Sequence, residues 1–218
     1  MSSVRASSVR AQTLGEEIAN SISHGLGLVG AIVGTPFLII ESARYGDAGA
    51  IVGAAIFCAA MILLYSTSSL YHALPAGRVK RLFFTFDHSA IFLLIAGTYT
   101  PFTLGVLRDS VGAALFAVVW VIAIVGIGLK AFGKAGHPVV STALYMGMGW
   151  LIVFAIGPLI AAVPPAGLAW LVAGGLSYTL GVVFFVTDSR VPYGHVVWHA
   201  FVVGGTACHY FAVLWYAV

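Results

Sequence analysis

The chain has 218 residues, of which 61% are apolar and 8% charged, and its formal net charge is +3. Mean hydropathy is +1.04 and the sequence pI is about 9.0. Such a composition excludes an ordinary soluble domain. In so apolar a chain the basic excess reads as membrane topology, and no nucleic-acid partner is expected.

Residues 1–21 form a short tail that carries Arg5 and Arg10 without the apolar core of a secretory signal. The membrane domain, 22–218, holds seven runs of about the twenty residues needed to cross a hydrocarbon layer. They fall at about 22–43, 49–73, 84–106, 110–130, 140–162, 166–187 and 194–217. The fifth and sixth are separated only by Val163-Pro164-Pro165-Ala166-Gly167. No Asp, Glu, Lys or Arg occurs between Lys134 and Asp188. That stretch would be roughly 80 Å long as one helix, too long for a single crossing. The runs are continuously apolar rather than alternating, which disfavours an outer-membrane barrel. The expected fold is an all-α polytopic membrane protein, a seven-transmembrane-helix bundle. Cys58 and Cys208 both lie within runs and give no disulfide framework. Gly-rich faces suit close helix packing and are compatible with a homo-oligomer.

With seven crossings, Arg5, Arg10, Arg78, Lys80, Arg81, Lys130, Lys134 and Arg190 share one side, and only Arg44 and Arg108 take the other. The positive-inside rule then places the N-terminus in the cytoplasm and the C-terminus outside. This is opposite to a G-protein-coupled receptor. A retinal protein is excluded because no lysine sits inside a run to form the Schiff base.

Ionisable groups inside a membrane are costly and therefore functional candidates. Here they gather at one depth. Glu17, Asn20 and His24 precede or begin the first run; Ser68 and His72 end the second; Asp87 and His88 begin the third; His195 and His199 begin the seventh. Ser68 and His72 are four apart on one helical face, as are His195 and His199. Three imidazoles, His72, His195 and His199, suit a zinc ion with a position left for water, the ligand count of a catalytic site. Asp87 could accept a proton from that water, and Ser68 could orient it or steady an oxyanion. The plain alternative is a buried polar network that pins helices together without metal. Glu17, Asn20 and His24 read equally as a polar gate, as acid/base help or as an anchor for the first helix. His209 lies about 15 Å beyond His199 along a helix, too far for the same ion, and is expected to line a cavity or bond a neighbouring helix.

Four ordered segments, EEIANSISHGLG (16–27), SSLYHAL (68–74), FDHSAIFLLIAGTYTPF (86–102) and HVVWHAFVVGGTACHY (195–210), resemble the bacterial hemolysin III family. That family belongs with the progestin and adipoQ receptors, which include the adiponectin receptors. The resemblance implies zinc near the inner leaflet, with His72, His195 and His199 matching the ligands, Asp87 the water-contacting aspartate and Ser68 the second-span serine. The chain departs from the eukaryotic receptors at His88, where they usually have tyrosine. Neighbouring side chains on a helix diverge by about 100°, so His88 is placed behind the ligands or against another helix.

The wider grouping includes alkaline ceramidases, which implies hydrolysis of an amide or ester in a membrane lipid, with a fatty-acyl or sphingolipid-like substrate. Two other readings stand beside it. One is a receptor or lipid sensor with a structural zinc. The other is a pore, suggested by the hemolysin name but opposed by the lack of a continuous polar stripe across the membrane.

Overall fold

A computed structural model describes residues 10–132 and 138–217. Arg5, Lys134 and His137 lie outside the described residues. Among the described residues eight α-helices follow in order: α1 Leu14–Tyr45, α2 Ala48–Ala73, α3 Arg78–Leu104, α4 Ala113–Ala131, α5 Pro138–Gly149, α6 Ile156–Ala162, α7 Pro165–Thr187 and α8 Gly194–Tyr216. No strand occurs among the described residues. Among the described residues seven helical segments are long and apolar enough to cross a membrane, as the sequence implies.

The first helix starts at Leu14, not at residue 22. A capping box explains the earlier start: Glu16 N–H donates to Thr13 Oγ1 (3.3 Å) and Thr13 N–H donates to Glu16 Oε2 (2.8 Å). With 32 residues, α1 is about 48 Å long, well beyond the ~30 Å hydrocarbon core. Its first turns, with Glu16, Glu17 and Asn20, can therefore sit at headgroup depth and face the ends of α2 and α8.

The fourth crossing opens with a π-turn at Arg108–Gly112 that leads into α4. The fifth is not one helix. It breaks after α5, continues as a 3₁₀ turn at Leu151–Ala155 and resumes as α6. Unpaired backbone at membrane depth is costly unless protein groups satisfy it. Tyr99 on α3 supplies them: its hydroxyl faces Met148 O (2.9 Å) and Gly149 O (2.8 Å) as donor, and accepts from Ile152 N–H (3.0 Å).

Helix α2 is the most enclosed crossing and packs between α1 and α3. Helix α1 also meets α8, which lies along α7, while α3 meets α4. Small residues set these approaches. A Cβ at Gly53 would lie 2.7 Å from Pro101 Cα, so α2 and α3 touch backbone to backbone there. At the end of the bundle away from the histidines, Asp47 caps α2 by accepting from Ala50 N–H (3.0 Å) and pairs with Arg108. That amide and the Arg108 guanidinium hold the Asp47 carboxyl below the usual aspartate range.

Candidate metal centre

The cytoplasm-facing ends expected from the sequence do meet at one end of the bundle: the start of α1, the end of α2, the start of α3 and the start of α8. His72, His195 and His199 converge there, and their candidate ligand atoms all lie within 4.8 Å of one another. Ring centroids are 5.1 Å apart for His72 and His195, 5.2 Å for His72 and His199, and 4.7 Å for His195 and His199. Spacing alone brings His195 and His199 to one face of α8. The fold adds His72 from α2.

Each of the three rings is held from behind. His72 Nδ1 meets Glu17 Oε2 at 2.7 Å, and Glu17 Oε1 accepts from Lys80 Nζ at 2.8 Å. His195 Nδ1 meets Asp188 Oδ2 at 2.9 Å. His199 Nδ1 lies 2.9 Å from Ser23 Oγ and 3.2 Å from the Asn20 carbonyl. With every Nδ1 engaged, the Nε2 atoms are left to face the common point. His72 Nε2 is buried without any hydrogen-bond partner, which is costly in protein and ordinary for a metal ligand. A carboxylate or carbonyl behind each imidazole is the usual way a ligating ring is fixed in tautomer and direction. The donor set therefore fits a metal ion that accepts nitrogen ligands.

Asp87 is buried on α3 and faces Ser68 of α2. Ser68 is fully enclosed, and its Oγ lies 2.7 Å from His24 Nδ1. His24 in turn stacks flat on His199, with centroids 3.5 Å apart and planes 7° from parallel, and its Nε2 has no partner. Ser68 is thus tied to a fourth imidazole. When His24 donates its Nδ1–H to Ser68 Oγ, the serine's own hydrogen is left for Asp87.

Two members of the first-helix cluster, Glu17 and Asn20, lie behind the trio. Glu17 backs His72, the Asn20 carbonyl backs His199, and the Asn20 side chain donates to Gln12 Oε1 at 2.6 Å. Glu16 ties the chain on either side of the site, taking Arg10 (2.6 and 2.7 Å) and the Tyr193 N–H (2.8 Å) just before α8 begins. Tyr193 there has φ 58°, a left-handed turn unusual for a residue with a side chain. His88 is outside the converging trio. Its Nδ1 donates to Phe84 O on its own helix (3.0 Å), its ring packs on Phe84, and it stands 3.7 Å from Asp87 Oδ2.

The centre opens into a cavity of about 470 Å³ enclosed by α3, the broken fifth crossing, α7 and α8. His24, Ser68, Asp87, His195 and His199 line one end, and aliphatic and aromatic side chains line most of the remainder. The 3₁₀ break forms part of the wall, since Trp150, Ile152 and Val153 face this space. Sequence reasoning passed over Asp188, Ser23, Lys80 and Tyr99. Asp188 carried a signal, because it is the first acid after a long charge-free stretch and stands seven residues before His195. Ser23 and Tyr99 act across helices and carried none.

A family model described as haemolysin-III related matches residues 12–210. The chain belongs to the haemolysin-III-related family. It is 44% identical over 206 residues to the hemolysin-3 homolog of Bacillus subtilis (strain 168), covering 94% of this chain and 96% of that protein. Hemolysin-3 of Bacillus cereus is 44% identical over 207 residues, covering 95% and 94%. The monocyte to macrophage differentiation factor of Homo sapiens is 29% identical over 206 residues, covering 91% and 83%, a distant similarity to the progestin and adipoQ receptors. This haemolysin-III-related chain is therefore an integral, multi-pass membrane protein in which three clustered histidines could hold a metal ion.

Proposed function

We propose that this chain is a zinc-dependent intramembrane hydrolase that cleaves an amide or ester in a membrane lipid, and so acts on membrane lipid composition. One observation carries the reading: three clustered imidazoles are each braced at Nδ1, and two of them, His195 and His199, line an apolar cavity together with a buried carboxylate and a serine hydroxyl. A structural zinc site is usually closed by four protein ligands, whereas this trio leaves a side facing the cavity. Bound there, zinc would supply Lewis acidity toward a carbonyl and toward water.

The chain's own residues supply the rest. The apolar cavity binds acyl chain and excludes bulk water, so that the scissile carbonyl stops at the histidine end. Asp87 takes a proton from the attacking water as its oxygen bonds to the carbonyl carbon, then returns it to the departing amine or alkoxide. Ser68, with its oxygen accepting from His24, turns its own hydrogen toward the developing oxyanion. Lysines and arginines concentrated at the site's end of the bundle support a cytoplasmic N-terminus in a bacterial inner membrane. Among the described residues, Arg10, Arg78, Lys80, Arg81, Lys130 and Arg190 take that end against Arg44 and Arg108 at the other.

The test joins elemental analysis of protein purified without added metal to lipid turnover in proteoliposomes. Wild type should carry about one zinc per chain. Asp87→Asn should keep that zinc and lose turnover by about 10²–10⁴-fold. Native protein free of metal would defeat the reading. So would zinc-loaded wild type that turns over no lipid, which is the behaviour of a sensor with a structural ion.

A further inference from the structure

Beyond the metal centre, the cavity passes one more imidazole. His209 lines it from α8, ten residues and about 15 Å past His199. Its Nδ1–H donates to Gly205 O at 2.8 Å, the carbonyl one turn back on its own helix. In the neutral ring this leaves Nε2 as a lone-pair acceptor. No protein group among the described residues meets that atom, and no carboxylate is among the ring's contacts.

The ring's position is built. A Cβ at Gly174 of α7 would collide with the His209 ring, so only glycine admits it. One turn further along α7, Tyr178 stacks on the ring at 5.5 Å and 21°. Tyr178 needs glycine too, since a Cβ at Gly205 would lie 2.8 Å from its ring. The Tyr178 hydroxyl is spoken for. Thr206 donates to Val202 O (2.8 Å), so Tyr178 donates to Thr206 Oγ1 (2.8 Å). Two glycines and a stacked tyrosine thus hold an imidazole with a bare acceptor toward a mostly apolar passage. An unmet acceptor there is a cost that a ligand's donor removes.

We propose that His209 is a second polar subsite of the cavity, whose Nε2 accepts a hydrogen bond from a hydroxyl or amide N–H carried partway along an otherwise aliphatic lipid chain. The inference rests on the cavity holding a lipid chain with its carbonyl end at the histidine trio. The subsite selects among lipids by the position of a donor, about 15 Å from the reacting end.

The experiment measures binding of octadecanoic acid and a positional series of its monohydroxylated analogues to the metal-loaded protein in nanodiscs. A mid-chain hydroxyl should tighten binding about fivefold over the plain acid, the worth of one net hydrogen bond, and hydroxyls nearer either end should not. His209→Leu should bind the plain acid as well as wild type and lose the preference. His209→Gln, which keeps an acceptor, should retain part of it. Metal content and thermal stability of each variant confirm the fold. Equal binding of all the acids, or a preference that survives His209→Leu, overturns the subsite while leaving the lipid cavity standing. Failure of every acid to bind overturns both.

Discussion

Glu17 offers the sharpest check on how the centre is held. Its carboxylate joins His72 Nδ1 (2.7 Å) to Lys80 Nζ (2.8 Å), and the His72 side chain is 1% exposed. Removing the group behind a ligating imidazole typically weakens a metal site by about 10–100-fold, or about 1.4–2.7 kcal/mol. Glu17→Gln keeps an oxygen that can accept the Nδ1–H and loses only the charge, so the lower end applies, about tenfold. Glu17→Ala loses both and frees the ring, so it should approach a hundredfold. The assay is competitive zinc titration against a chromophoric chelator, with protein in detergent and circular dichroism as the check on folding. Asp188→Ala should behave like Glu17→Ala, because it frees His195 in the same way. Wild-type affinity, within twofold, in folded Glu17→Ala would refute the claim that these Nδ1 contacts orient the ligands.

Two further outcomes concern the scaffold. Tyr99→Phe leaves Ile152 N–H and the Met148 and Gly149 carbonyls without their shared hydroxyl. It should cost about 1–3 kcal/mol, read as a lower midpoint in detergent-denaturant titration, with zinc affinity unchanged. Asp47→Asn keeps an N-cap acceptor but removes the charge facing Arg108. The Asp47 carboxyl sits below its ordinary value in the folded protein. Its stabilisation is therefore complete above the unfolded value and fades as pH falls through the folded one. The Asn variant should melt below wild type at about pH 7, and the gap should narrow as pH falls below about 4.

The fold was legible because a bilayer leaves the chain few options. Apolar runs of bilayer length, cut by Pro164-Pro165 and by loop charges, can satisfy their backbone only as helices. What the runs could not reveal was where helix gives way inside the membrane. The break between α5 and α6 depends on a phenol from α3, and the MGMG stretch at 146–149 does not by itself say which residue will catch the freed carbonyls. The early start of α1 was written in Thr13 and Glu16, but hydropathy alone gives no weight to a polar first turn. In the site, shared depth was enough to gather His72, His195 and His199. The bond between Ser68 and His24, and those from Glu17 and Ser23 to the clustered rings, join residues more than forty positions apart and appear only once α1 is laid against α2 and α8.

Those supports explain why so many polar groups are tolerated at this depth. A buried imidazole with two open nitrogens would be expensive twice over. Here one nitrogen of each ring is answered by a carboxylate, a carbonyl or a hydroxyl from a neighbouring helix, and that answer fixes where the other nitrogen points. The remaining cost, carried by the other nitrogens of three clustered rings, is one that a cation would offset. Polar residues that hold the helix ends together are thus the same ones that orient the centre. Loosening the bundle at α1 and weakening the metal site should accordingly be one event, and a variant that separates them would show that packing and coordination are independent.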